Sequence, residues 1–145
     1  MTKISGTVVI ARKPEDVFAY LDDFKARPSW QDDVKSTTVL TDGPTRVGTE
    51  VEETRQMGSR TMTVRWRVTS HEPPSRSAFE TYQSTMMKPS GVISVEPSGD
   101  GSRVTFEMEP NPMGMAKLMM PMIAGRIRKN VATDLDHLKR NLETA

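Results

Sequence analysis

The feature that most constrains this chain is the apolar pattern of its last quarter, Asn111 to Ala145. Met115, Leu118, Met119, Met122, Ile123, Ile127, Val131, Leu135, Leu138 and Leu142 recur there at helical spacing, with Lys, Arg, Asp and Asn between them. That period gathers them into one stripe along an amphipathic helix, which has to bury the stripe against another layer. The stripe changes character along its length. Methionine dominates its first half (Met113, Met115, Met119, Met120, Met122), and Ile, Val and Leu its second. Branched aliphatic side chains pack as core, whereas unbranched thioethers fill irregular spaces and tolerate variable partners. Asn111 and Pro112 form a start signal, a capping residue followed by proline at the first helical position. Pro121 falls inside the methionine half, where its missing N–H and its ring predict a kink or break near Met120. One long helix is expected to close the core with one half and line a cavity with the other.

The layer it packs against is written in the middle of the chain. Arg60 to Glu72 alternates, with Met62, Val64, Trp66 and Val68 in one phase and Thr61, Thr63, Arg65, Arg67 and Thr69 in the other. A period of two with apolar against polar predicts a strand with one buried and one wet face. Strands are likewise expected over Lys3–Ala11, Lys35–Thr41, Val47–Met57, Ser77–Met87, Gly91–Val95 and Arg103–Glu109, separated by Asp42-Gly43-Pro44, Gly58-Ser59, Pro73-Pro74 and Pro97 to Gly101. In the last of these strands Val104, Phe106 and Met108 share the inward phase. Lys13-Pro14-Glu15-Asp16 opens a short helix with Val17, Phe18, Tyr20, Leu21 and Phe24 as its apolar face, and a second short helix or turn is expected at Ser29–Asp33. The fold class is therefore α+β. A curved antiparallel sheet of about seven strands wraps around a long C-terminal helix, with two short helices between the first and second strands.

Several local phrases carry a family likeness. They are the opening strand running into Pro14-Glu15-Asp16-Val17-Phe18-Ala19-Tyr20-Leu21, then Trp30 before a strand, then Val47-Gly48-Thr49. Further on come Val68-Thr69-Ser70-His71-Glu72-Pro73-Pro74, the turn Gly99-Asp100-Gly101-Ser102-Arg103-Val104 and the ending Leu138-Lys139-Arg140-Asn141-Leu142-Glu143. With this order of elements the chain resembles the START-like, or SRPBCC, superfamily of the Bet v 1 helix-grip fold, and within it the polyketide cyclase/dehydrase-like branch. The likeness runs over nearly the whole chain and implies the helix-grip fold. It does not select a function, because the superfamily holds lipid and hormone carriers as well as aromatase/cyclases.

At 145 residues the chain is expected to be a single START-like domain, 1–145. Its 20 basic and 19 acidic residues nearly cancel, which argues against a nucleic-acid partner held by phosphate neutralisation. Cysteine is absent, which removes disulfides, thiolate nucleophiles and cysteine metal sites. No run approaches the ~20 apolar residues that span a bilayer, and no secretory signal is visible, so a cytoplasmic location is expected. His71 and His137 have no convergent partners at metal-ligand spacing, so no metal site and no cofactor are expected.

Candidates for chemistry are few. Glu53 and Arg55 share strand phase with Val51, so an inward Val51 brings an inward acid and base able to orient a carbonyl or move a proton; an ion pair at the sheet rim is the plainer alternative. Tyr82 lies in a strand whose phase the pattern leaves open: Phe79, Thr81, Gln83 and Thr85 form one face, and Ala78, Glu80, Tyr82, Ser84 and Met86 the other. The residues expected to line a ligand cavity are Trp30, Val51, Met62, Val64, Trp66, Phe79, Ile93, Phe106 and Met108, with Met115, Met119 and Met122 from the helix. Two functions fit. The first is a module binding a small hydrophobic or aromatic molecule, lipid-like or polyketide-like. The second is an aromatase/cyclase or dehydratase using Glu53, Arg55 and Tyr82. As an alternative to the cavity wall, Met120-Pro121-Met122 would lie on an exposed apolar surface contacting a membrane or a second subunit. The basic side Lys117, Arg126, Arg128 and Lys129 reads first as a solvated face, with attraction to acidic lipid headgroups the sharper alternative, and nothing else in the sequence supports membrane contact. Both monomer and homodimer fit the sequence.

Overall fold

The β-branched opening forms strand β1, Ile4–Ile10, with Ile4 and Ile10 fully buried. Pro14 then begins helix α1, Pro14–Asp22, which carries Glu15 and Asp16 in its first turn and buries Val17, Phe18 and Leu21. Strands β2 (Val34–Val39), β3 (Glu50–Met57), β4 (Arg60–Glu72), β5 (Arg76–Gln83), β6 (Ser90–Ser98) and β7 (Gly101–Glu109) follow, and helix α2, Met120–Glu143, closes the chain. The computed structural model describes residues 3–144; Ala145, the expected last residue of the helical stretch, lies outside them. All seven strands form one antiparallel sheet in the order β1-β7-β6-β5-β4-β3-β2. Short turns make β2 to β7 a meander, and β7 comes back to pair along the full length of β1.

The sheet wraps α2, as the helix-grip class requires. Val131, Leu135, Leu138 and Leu142 of α2 pack with Ile4 and Ile10 of β1, Val95 of β6, Val104 of β7 and the apolar face of α1. Gly6 explains why α2 lies so close over β1. A Cβ there would meet Val131 Cγ1 at 2.9 Å and Leu135 Cδ1 at 3.0 Å, so only glycine leaves room for the helix. The helix end is tied to the same strand: Arg12 donates to the Leu142 carbonyl at 2.7 Å, and Lys139 to the Val9 carbonyl at 2.7 Å. A second apolar cluster gathers Phe24, Val51, Val64, Trp66 and Val68 at the other side of the sheet. Helix α2 lies mainly over β1, so the concave face between the two clusters is only partly covered by it.

The structure corrects the expected course of two helical segments. The final helix does not begin at Asn111. Asn111 takes a left-handed conformation (φ 48°), which asparagine tolerates better than most residues, and turns the chain sharply. Pro112 then bridges to Met87, and the Met113 N–H donates to the Met86 carbonyl at 2.9 Å. After Gly114 (φ 56°) a short 3-10 turn covers Gly114–Lys117, and α2 starts only at Met120. Pro121 therefore sits in the first helical turn, where a missing N–H leaves no bond unmade; the expected break near Met120 is there, as the boundary between the 3-10 turn and α2, but not as a kink within one continuous helix. The second short helix likewise comes earlier than expected. It is a 3-10 segment, Phe24–Ser29, with Pro28 inside it and Trp30 as its C-terminal cap. Strand ends shift as well: β3 begins at Glu50, after Gly48 (φ 95°), and β5 ends at Gln83, leaving Met86 and Met87 in a loop.

Candidate functional site

Cross-strand partners share a face, and this settles which residues look into the concavity. Val51 stands opposite Trp66, Glu53 opposite Val64, and Arg55 opposite Met62. Val51 is fully buried, so Glu53 and Arg55 also point inward. In β5 the inward phase belongs to Phe79 and Thr81, because Trp66 pairs with Thr81 and Val68 with Phe79. In β6 and β7 it belongs to Ile93 and Val95, and to Val104, Phe106 and Met108.

Along this face the aromatic side chains form a row. Phe24 meets Trp66 edge-on at 5.0 Å, Trp66 meets Phe79 at 5.7 Å, and Phe79 stacks on Phe106 at 6.4 Å with planes 4° apart. The last contact spans β6, and Gly91 makes it possible. A Cβ at Gly91 would lie 2.7 Å from Phe79 Cε1 and 3.0 Å from the Glu107 carbonyl oxygen, so its absence lets the Phe79 ring lie flat over β6 toward Phe106. Met62, Phe79, Ile93, Phe106 and Met108 are inward yet only half-buried.

Beside this row sits a charge cluster. Glu53 is 1% exposed and receives hydrogen bonds from Arg27 Nε at 2.8 Å, Arg55 Nη1 at 2.8 Å and Trp66 Nε1 at 3.3 Å. Burial pushes its carboxyl pKa upward, but the charges and hydrogen bonds of the two guanidinium groups outweigh burial and hold it below the usual carboxylate range. Glu53 is thus a fixed anion. Arg27 also lies 5.0 Å from the Trp66 ring and 5.9 Å from the Trp30 ring, and donates to Gln31 at 3.0 Å. Each guanidinium carries five N–H donors, and several on each have no partner among the described residues. The Trp30 indole N–H is buried and likewise unpartnered among them. The donors left unused on the two guanidinium groups suit a negatively charged or carbonyl oxygen.

A third group reaches this cluster from α2. Asp134 follows Ile127 by two helical turns on the same side of α2, and its carboxyl is pushed up to about 6 by burial, opposed by a hydrogen bond from the Asp32 backbone and by the charge of Arg55, with the charges of Asp33 and Asp32 adding to the rise. Asn130, one turn earlier, donates to Asp33 at 3.0 Å, and His137 lies 3.4 Å from Asp32. Among the described residues no group of three or more His, Asp or Glu is placed to hold a metal ion.

Of the residues expected from sequence, Trp30, Val51, Glu53, Arg55, Met62, Val64, Trp66, Phe79, Ile93, Phe106 and Met108 come together around the concave side. Tyr82 does not join them. It stands on the outer face, donating to Glu50 at 2.6 Å with Arg67 packed 4.2 Å over its ring. Met115, Met119 and Met122 do not line the interior either. They are exposed by 74, 45 and 73%, and the stripe's inward methionine is Met120. Arg27, Asp134 and Thr81 have no sequence signal of their own. Arg27 lies in Phe-Lys-Ala-Arg-Pro-Ser, which reads as a solvated turn, and its inward course follows from the 3-10 conformation. A groove of about 500 Å³ lies elsewhere, on the outside of the sheet around Arg76, Glu80 and Glu107.

Residues 1–143 match the model of the family described as polyketide cyclase / dehydrase and lipid transport. The chain belongs to that family. Among solved structures, this family member is similar to a protein from Thermus thermophilus (TM-score 0.84, 15% identity, 97% of each chain covered). It is similar also to a START superfamily protein from Mycobacterium smegmatis (TM-score 0.78, 18% identity, 97% of this chain and 98% of that one). A third is the ZhuI aromatase/cyclase from a Streptomyces species (TM-score 0.80, 14% identity, 98% of this chain and 93% of that one). At these identities the likeness is one of fold alone: this polyketide cyclase/dehydrase family member has the helix-grip fold of START-like and Bet v 1-like proteins. No curated protein matches it.

Proposed function

We propose that this protein binds a small, mostly apolar molecule bearing an oxygen acceptor at one end. The apolar body would lie along Trp66, Phe79 and Phe106, with Ile93 and Met108 beside it, and the oxygen would be held by Arg27 and Arg55. The observation that carries the reading is Glu53, buried between two guanidinium groups beside the aromatic row. Burying three charges is costly unless they are paired or have a task. Here the pairing is incomplete: Glu53 uses only some of the donors of the two guanidinium groups, and those left over suit an oxygen acceptor, although Asp134 beside Arg55 offsets part of the positive charge. The family's description, which covers both cyclase/dehydrase and lipid transport, is compatible with a ligand of this kind.

Binding is favoured over catalysis by Glu53, because a carboxylate held ionised by two arginines neither gives nor takes a proton readily near neutral pH. One observation favours a second reading, an enzyme of the cyclase or dehydratase kind. Asp134, with its pKa pushed up to about 6, has the proton affinity of an acid–base group and lies within the electrostatic reach of Arg55.

The test uses two aromatic probes of similar size. One, 8-anilinonaphthalene-1-sulfonate, is anionic; the other, N-phenyl-1-naphthylamine, is neutral. Both are titrated while the fluorescence of Trp30 and Trp66 is followed. Wild-type protein should bind both at a single site. Arg55→Gln should weaken the anionic probe at least about tenfold, the loss of one charge-assisted hydrogen bond, and leave the neutral probe unchanged. Binding of neither probe, or equal loss of both, would overturn the proposal.

A further inference from the structure

The methionines that do not line the interior raise a separate question. Met115, Leu118 and Met122 are 74, 77 and 73% exposed, and Met119 and Met86 are 45 and 41% exposed. The two segments that carry them are fastened side by side. Met113 N–H donates to the Met86 carbonyl, Lys88 N–H to the Asn111 carbonyl at 3.2 Å, and the Asn111 side chain back to the Lys88 carbonyl at 3.1 Å. The tips are therefore held out by a braced turn whose inner side is anchored by buried Ala116 and Met120. Large apolar side chains this exposed on neighbouring turns mark an interaction surface.

Charge narrows the partner. From Asn111 to Thr133 the chain contains Lys117, Arg126, Arg128 and Lys129 and not one acidic residue. Lys88 joins them from the braced loop, and all five are, among the described residues, outside any ion pair. A second copy docking through this face would set cation against cation with no acid in the segment to answer them, which opposes self-association. An anionic bilayer surface answers both features. Its headgroups attract the lysines and arginines, and its acyl boundary accepts Met and Leu side chains without a shaped groove. Among the described residues no helix is long and apolar enough to cross a membrane, so such contact lies in the interface plane.

We propose that the turn Met113–Met122, with Met86 and the cations around it, is a peripheral docking surface for anionic membranes. It stands independently of the ligand reading, since it rests on exposed side chains that take no part in the Glu53 cluster or the aromatic row.

The experiment is co-sedimentation of the full chain with large vesicles of phosphatidylcholine alone or with about 30% phosphatidylserine. It is run at low salt and at about 0.5 M salt, where the Debye length is short. Binding to the anionic vesicles should exceed that to neutral ones at least about tenfold and fall at high salt. The exposed triple variant M115S/L118S/M122S should lose at least about tenfold in vesicle binding, with unchanged melting temperature and unchanged probe binding in the interior. K117Q/R126Q/K129Q should remove the preference for anionic lipid. Absence of binding to either vesicle, or a triple variant that binds as well as wild type, would overturn the proposal. So would a dimer in sedimentation equilibrium that the triple variant abolishes while vesicles stay unbound, which would assign the face to a second copy.

Discussion

Replacing Glu53 by glutamine removes the charge at the centre of the site while keeping shape and one acceptor. Glu53 is 1% exposed, and both of its arginine contacts are 2.8 Å long. Removing one partner of a buried charge set typically costs about 3–5 kcal/mol, because the remaining charges stay desolvated without compensation. Arg55 is 31% exposed and can turn partly to water, so roughly 2–4 kcal/mol is the expected loss at pH 7. With a urea dependence of about 2 kcal/mol per molar, the unfolding midpoint should fall by about 1–2 M. The effect must also depend on pH with a definite sign. The native carboxyl titrates below its ordinary value of 4.5, so the ionised form stabilises the fold fully above 4.5 and loses that contribution as pH falls through the native pKa. The gap between wild type and Glu53→Gln should therefore be full at pH 7 and shrink below pH 4.5. A loss under about 0.5 kcal/mol at pH 7, or a gap that stays constant as pH falls, would refute the reasoning.

Four further substitutions test separate parts of the structure. Gly91→Ala forces a methyl group against the Phe79 ring and the Glu107 carbonyl, so thermal unfolding should show a loss of about 1–3 kcal/mol; Gly125→Ala, whose new methyl meets open space on an exposed face of α2, should instead stabilise by up to about 1 kcal/mol. Asp134 has a raised pKa, so its favourable contribution is complete below 3.8 and is lost as pH rises through about 6. Asp134→Asn should accordingly gain stability at pH 7, about 1–2 kcal/mol once solvent screening of this partly exposed group is allowed for, and converge with wild type near pH 4, as read from urea midpoints across that range. Pro121→Ala should change stability by less than about 1 kcal/mol, since the proline occupies the first turn of α2; the roughly 3 kcal/mol gain expected on relieving a mid-helix proline would contradict that start.

The sheet was legible because most of its strands alternate. The inward phase of β4 follows from Met62, Val64, Trp66 and Val68 alone; parity ties Glu53 and Arg55 to Val51, but which face of β3 is inward is decided by the pairing of Val51 with Trp66, which the sequence leaves open. Tyr82 was not legible, since β5 has polar and apolar groups on both faces. Its phase is set by pairing to β4, where the register shifts at Arg65/Trp66 and Val68/Ser70. The start of α2 was hidden for a different reason. Asn-Pro and methionine spacing satisfy helix rules locally, but Asn111 turns left-handed and the segment bonds to the Met86–Lys88 loop, a distant partner that no local pattern reports. Arg27 was hidden in the same way: nothing in its neighbours marks it as the second counter-charge of Glu53, which lies 26 residues on.

The most direct measurement of the central claim is a methionine-methyl NMR titration with 8-anilinonaphthalene-1-sulfonate. The eleven methionines sample both sides of the account. Met62 and Met108 face the concavity, whereas Met115 and Met122 stand out on the surface. Saturable shifts at Met62 and Met108, with Met115 and Met122 unmoved, are the expected result. Shifts confined to Met115 and Met122, or none that saturate, would contradict a ligand held between the sheet and the helix.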